Sequence, residues 1–112
     1  IENGEIKHIS IWEKNINLIN LWKMAEQYLP VHDKISVLNY DVFDYQKARS
    51  QLKGVFDSVY IDIWAGLDKN AYTQMKHFRR AFRPFLNPNN PNTFIECWGR
   101  EECMKKVRKG LF

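Results

Sequence analysis

The strongest constraint on the fold of this chain is a fourfold alternation of strand-like and helix-like segments. Runs rich in β-branched and aromatic residues alternate with stretches whose apolar residues recur at helical spacing. The predicted strands are Ile6–Trp12, Ile35–Asn39, Ser58–Trp64 and Thr93–Trp98. The predicted helices are roughly Asn15–Tyr28, Tyr45–Lys53, a segment from the capping residue Asp68 to about Arg83, and Arg100–Lys109. This order is typical of α/β proteins. We therefore predict a four-stranded parallel sheet with helices on both faces, in a single domain spanning residues 1–112.

Composition narrows the class of protein. The 112 residues are 45% hydrophobic and 27% charged. A chain of this length and composition can form a core that needs neither disulfides nor metals. Cys97 and Cys103 are too few for a disulfide framework, so we expect reduced thiols in a cytoplasmic protein. No apolar run is long enough to span a bilayer, and the polar opening residues IENGEIKH predict no signal peptide. The histidines are scattered, so no metal site is predicted. A first residue that is Ile1 rather than Met leaves open that the sequence is a fragment.

Positive charge is concentrated in the second half of the chain. The net charge is +4, and no acidic residue lies between Lys69 and Ile95. A basic surface of this kind can attract RNA or DNA. It is also typical of an ordinary solvated helix face, so both interpretations stay open.

Acidic residues lie at or near the C-terminal ends of three of the four predicted strands, at Glu13, Asp41 and Asp62. In open α/β sheets the ligand crevice lies outside the carboxyl ends of the strands. An acid there can accept hydrogen bonds from ribose hydroxyls, as Glu13 could, or from an exocyclic amine, as Asp41 could. Asp62 would then lie near a transferred group.

Structural roles are open for the same residues. Glu13 could stabilise a helix N-terminus, and Asp41 could be a turn residue. Asp44 and Asp68 are most simply helix caps. A carboxylate inside an apolar run, such as Asp62, is harder to explain structurally because burying it unpaired is costly.

Four segments carry a resemblance to a known family: IWEKN at 11–15, NYDVFDY at 39–45, VYIDIW at 59–64 and TFIECW at 93–98. They resemble the second to fifth strand regions of class I S-adenosylmethionine-dependent methyltransferases, closest in style to members related to spermidine synthase. The resemblance runs from about Ile9 to Trp98. It implies S-adenosylmethionine as the cofactor, with Glu13 on its ribose and Asp41 and the backbone amide of Val42 at its adenine. It also implies a catalytic role for Asp62, near the methyl-transfer site with Trp64 beside it.

The family's first strand and its glycine-rich loop have no counterpart in this sequence. In the family that strand lies in the middle of the sheet. Without it, we expect the first and third strands to pair directly, which gives a three-layer, Rossmann/flavodoxin-like sheet in the order 2-1-3-4. The other solution is a partner chain that fills the gap, since open strand edges invite pairing. A homo-oligomer formed through an open sheet edge is also expected.

Two functions therefore remain open from the sequence. The first is a partial methyltransferase-like domain, inactive or incomplete as an isolated chain. The second is a non-catalytic α/β interaction module that binds a protein or nucleic-acid partner through its basic helices. A nucleoside-sized crevice between Glu13 and Asp62 would favour the first, and a crevice filled by Trp64 and its neighbours would favour the second.

Overall fold

Strands and helices alternate in the predicted order, so the α/β class is confirmed. The structure, a computed structural model, describes residues 6–30 and 32–112. Over these residues the strands are β1 Ile9–Glu13, β2 Ile35–Asn39, β3 Ser58–Ile61 and β4 Phe94–Cys97. The α-helices are α1 Ile16–Ala25, α2 Tyr45–Leu52, α3 Lys69–Ala81 and α4 Arg100–Arg108. Short 3₁₀ turns occupy Glu26–Tyr28, His32–Lys34, Val42–Asp44 and Arg83–Phe85. None of the described helices is long and apolar enough to cross a lipid bilayer.

The strands form two two-stranded parallel sheets rather than the single four-stranded sheet that the sequence predicts. β1 pairs with β2, from Ile9 opposite Ile35 to Glu13 opposite Asn39. β3 pairs with β4, from Ser58 opposite Phe94 to Ile61 opposite Cys97. The predicted order 2-1-3-4 contains both of these pairs, but a sheet that joins them is not shown. Parallel neighbours need a crossover connection, which α1 and α3 supply.

The chain divides into two compact units, Ile1–Ala48 and Arg49–Phe112, with the division inside α2. In the first unit, α1 begins at its cap Asn15, whose side chain accepts a hydrogen bond from the Asn17 amide at 2.9 Å. α1 ends at Ala25 and passes into a 3₁₀ turn ahead of Pro30, which cannot continue a helix.

The buried side of α1 differs from the prediction. The sequence pattern predicts an inner face of Leu18, Leu21, Trp22, Ala25, Tyr28 and Leu29. The residue that α1 buries is instead Ile19, whereas Leu21 is 60% exposed and Tyr28 is 80% exposed. Ile16, Leu18 and Met24 are exposed as well, so most of the apolar side of α1 is left uncovered.

The second unit contains a well-packed core. From α3 and the turn after it come Met75, Phe78, Phe82 and Phe85, each at most 4% exposed. The rings of Phe82 and Phe85 lie 4.8 Å apart. Ile61, Ile95 and Cys97 are the buried residues of the sheet in this unit. The sequence pattern predicts an apolar stripe of Ala71, Tyr72, Met75, Phe78, Phe82 and Phe85 on the third helix, and all of these except the half-buried Tyr72 are core residues. Each buried ring contributes on the order of 2–3 kcal/mol by removal from water.

Local signals set the ends of the helices in this unit. Asp68 caps α3 as predicted, since its Oδ1 accepts from the Ala71 amide at 2.7 Å. Aspartate is among the preferred residues at this position of a helix. α4 begins after Gly99, which has φ +81°. This left-handed conformation favours glycine, and a Cβ at this position would also force the methyl groups of Leu67 to shift.

Candidate functional site

Glu13 and Asp41 lie at the same edge of the same sheet. Glu13 is the last residue of β1 and is opposite Asn39, the last residue of β2. The Tyr40 amide continues the pairing with a 3.2 Å hydrogen bond to the Glu13 carbonyl. Asp41 follows directly. The parallel register therefore brings these two predicted site residues to the carboxyl ends of neighbouring strands, where α/β proteins bind ligands.

Both carboxylates also make local hydrogen bonds. Glu13 Oε2 accepts from the Asn15 amide at 3.1 Å, just before α1. Asp41 Oδ1 accepts from the Phe43 amide at 2.9 Å and caps the 3₁₀ turn Val42–Asp44. Asp41 is therefore the capping residue of the 3₁₀ turn that precedes the second helix. A carboxylate offers about four lone-pair positions, so one such bond leaves each acid able to accept from a ligand.

The turn that carries Asp41 and Val42 is held by an aromatic residue. The Tyr40 hydroxyl donates to the carbonyl of Asp44 at 2.9 Å, and its ring meets that of Trp12 edge to face at 4.8 Å. Val42 is the first residue of the turn, and its carbonyl accepts from the amide of Tyr45. The backbone around both predicted adenine-contacting residues is thereby fixed at this edge.

Asp62 lies in the second unit, in the irregular segment after β3. It is exposed, so the cost of burying an unpaired carboxylate does not arise. Trp64 is anchored to α3: its Nε1 donates to Gln74 Oε1 at 2.8 Å, and its ring lies 6.3 Å from that of Phe78. The structure thus groups Glu13, Asp41 and Val42 in one unit and places Asp62 and Trp64 in the other.

The two cysteines are buried free thiols. Cys97 is 3% exposed, and burial, with a smaller contribution from the neighbouring Glu96 charge, raises the pKa of its thiol to about 11. Burial likewise raises the pKa of Cys103. Because the thiolate is the reactive form, a nucleophilic role for Cys97 is disfavoured.

A groove of about 610 Å³ in the second unit was not predicted from the sequence. It is lined by Arg79, Arg83, Leu86, Thr93, Phe94, Ile95, Glu96 and Arg100. Arg100 holds Glu96 through Nε to Oε1 at 2.5 Å and Nη2 to Oε2 at 3.1 Å. The hydrogen bond from Arg100 is the main reason that the pKa of Glu96 is lowered, although partial burial acts against it. Glu96 lies in β4 and Arg100 begins α4, so the rule for residues four apart on one helix does not apply, and no local sequence signal identified the pair.

Comparisons with known proteins do not assign the chain to a family. No protein-family model, curated protein or solved structure matches the chain. Within residues 6–30 and 32–112, no three His, Cys, Asp or Glu side chains are grouped so as to hold a metal ion.

Proposed function

We propose that the chain is the nucleoside-binding part of an S-adenosylmethionine-dependent methyltransferase-like domain, incomplete for catalysis on its own. The observation that carries the proposal is the position of Glu13 and Asp41 at the carboxyl ends of two parallel strands paired in register. This arrangement supports recognition of two parts of one nucleoside by two acids.

The roles of the residues follow from hydrogen-bonding capacity. Glu13 accepts from the vicinal hydroxyls of the ribose, and Asp41 accepts from the exocyclic amine of adenine. Val42 presents its backbone amide to the adenine ring. S-adenosylmethionine, when bound, supplies the methyl group. Asp62 orients the methyl acceptor, and catalysis rests mainly on holding donor and acceptor in line.

The order 2-1-3-4 of a single sheet belongs to the same proposal. Its outer pairs, 2-1 and 3-4, are the pairings observed, which supports it. Pairing of an open strand edge with a second copy of the chain is the competing arrangement. Sedimentation equilibrium distinguishes them, since the single sheet needs only a monomer.

Calorimetric titration with S-adenosylhomocysteine tests the proposal. We expect binding to be weakened by Glu13→Gln and by Asp41→Asn, substitutions that remove charge while keeping an acceptor for the local backbone amides. Glu101→Gln is the matched control, because it removes the same charge from an exposed position in the other unit. Absence of heat with a folded protein would reject the proposal.

Comparison of adenosine with inosine separates the roles of the two acids. Inosine has no exocyclic amine, so we expect Asp41→Asn to weaken adenosine much more than inosine. Glu13→Gln should weaken both equally, because both carry the same ribose. Equal effects of Asp41→Asn on the two nucleosides would contradict the adenine assignment.

A second candidate function is the non-catalytic interaction module. The observation that favours it is the charge of the basic helices: the last turn of α3 carries Arg79 and Arg80, and that of α4 carries Lys105, Lys106 and Arg108. A chain that binds nucleic acid or a protein partner but gives no heat with S-adenosylhomocysteine would support this candidate over the first.

A further inference from the structure

The outer edge of β4 is covered by side chains. The Trp98 amide donates to the Ile61 carbonyl. The backbone N–H and C=O groups of Trp98 and of every second residue before it therefore point towards β3. Ile95 and Cys97 therefore direct their backbone groups to the opposite side. There the Ile95 carbonyl accepts from Arg79 Nε at 3.2 Å, and the Cys97 amide donates to Glu96 Oε1 at 2.9 Å. The groove along this edge is consequently lined by charged side chains rather than by free backbone groups.

The groove carries more positive than negative charge. Three guanidinium groups, of Arg79, Arg83 and Arg100, line it together with the single carboxylate of Glu96. Arg100 neutralises that carboxylate through the two-pronged ion pair. Within the described part of the chain, Arg79 and Arg83 form no ion pair with a carboxylate. Arg79 uses one of its N–H donors on Ile95 and keeps the others. Two guanidinium groups therefore remain available to an anion.

An aromatic ring lies in the same groove. Phe94 is 54% exposed, although it belongs to a strand-forming apolar segment. Strand alternation puts Phe94 on the solvent side of β4, whereas Ile95 and Cys97 are buried. Thr93 adds a hydroxyl group beside it. A volume of about 610 Å³ suits one nucleotide unit, since it is within the range of small-molecule sites.

We propose that this groove binds single-stranded nucleic acid, with backbone phosphates on Arg79 and Arg83 and a base stacked on Phe94. Guanidinium groups bind phosphate with two parallel hydrogen bonds, and base stacking on aromatic rings is the usual partner of such charge in single-strand sites. An acidic peptide matches the charge, whereas a single strand matches the charge and also offers a π face to the exposed ring with every base. The site is independent of the methyltransferase proposal, and it gives the interaction-module candidate a defined location.

Fluorescence anisotropy with a labelled oligothymidylate tests the inference, at several salt concentrations. We expect Arg83→Gln to weaken binding several-fold and to lower the slope of log K against log salt by about 0.7, the value for one lost phosphate contact on a single strand. Arg49→Gln is the matched control, because it removes the same charge from an exposed position outside the groove. Equal weakening by both variants would mean diffuse attraction and would overturn the site.

A second pair of variants tests the stacking of a base on Phe94. Phe94→Leu keeps apolar bulk but removes the ring, and we expect roughly fivefold or greater loss of affinity. Phe43→Leu, at a residue with almost equal exposure in the other unit, should leave affinity unchanged. Circular dichroism and urea midpoints confirm that each variant is folded. The proposal would be overturned if duplex DNA bound as tightly as the single strand. Equally tight binding of polyglutamate would also overturn it, in favour of an acidic protein partner.

Discussion

Arg79 donates a hydrogen bond from Nε to the backbone carbonyl of Ile95, 3.2 Å away, and so ties α3 to the outer side of β4. We expect Arg79→Leu to lower the free energy of unfolding by about 1 kcal/mol, the usual net contribution of such a bond. Urea unfolding of the parent chain and of the variant measures this difference in unfolding free energy. Arg80→Leu, on the same helix, should change stability by at most about 0.5 kcal/mol, because Arg80 is exposed. Equal losses would show that the bond contributes nothing.

The core around α3 should be sensitive to lost volume. Met75 is 0% exposed. Met75→Ala therefore leaves a cavity and should cost about 2–5 kcal/mol of unfolding free energy. Met24 is 70% exposed, and Met24→Ala should change stability by only about 0.5 kcal/mol or less. Chemical denaturation of both variants checks the difference. A small effect at Met75 would mean that the aromatic core collapses into the space.

The capping of α3 can be tested by substituting the capping residue Asp68 and, for comparison, Asp62, which caps none of the described helices. Asp68 accepts a hydrogen bond from the Ala71 amide. Asp68→Ala should therefore cost about 1 kcal/mol, and Asp68→Ser should recover most of it. Asp62 is exposed in the preceding loop, and Asp62→Ala should be nearly neutral for stability. Thermal unfolding of the three variants would contradict the capping role if Asp68→Ser were as unstable as Asp68→Ala.

Deprotonation of Cys97 should lower the free energy of unfolding at alkaline pH. Its pKa is raised from 9.0 to about 11 by burial, so the folded state holds the proton after the unfolded chain has lost it. The corresponding stability is complete below pH 9 and is lost as pH rises to about 11. The loss amounts to roughly 3 kcal/mol at most. Denaturation of the parent chain and of Cys97→Ala from pH 8 to pH 11 measures it. Parallel pH profiles would contradict the prediction.

The order of the elements could be predicted from the sequence because each depends on local signals. β2 occupies the predicted residues, and Asp68 caps the third helix where expected. β3 is shorter than predicted, because its partner β4 ends at Cys97 and the last bond joins Trp98 to Ile61. The residues after Ile61 include strand-forming side chains, but pairing length is set by the neighbouring strand.

Relations between distant residues could be predicted only in part. The positions of Glu13 and Asp41 after two neighbouring strands follow from the alternation, and the register of β1 and β2 brings them to one edge. The single sheet required a choice among strand pairings that local patterns do not determine. The groove depends on bringing Arg79 and Arg83 beside β4, and nothing in their helical spacing identifies the strand that they approach.

Each pair of strands forms within one contiguous stretch of the chain. β1 pairs with β2 before residue 49, and β3 pairs with β4 after it. On a ribosome, the first parallel pair and its crossover helix can emerge and associate while the residues of the second are still being added. The order of synthesis therefore presents the edge that carries Glu13 and Asp41 before the arginine-lined groove exists.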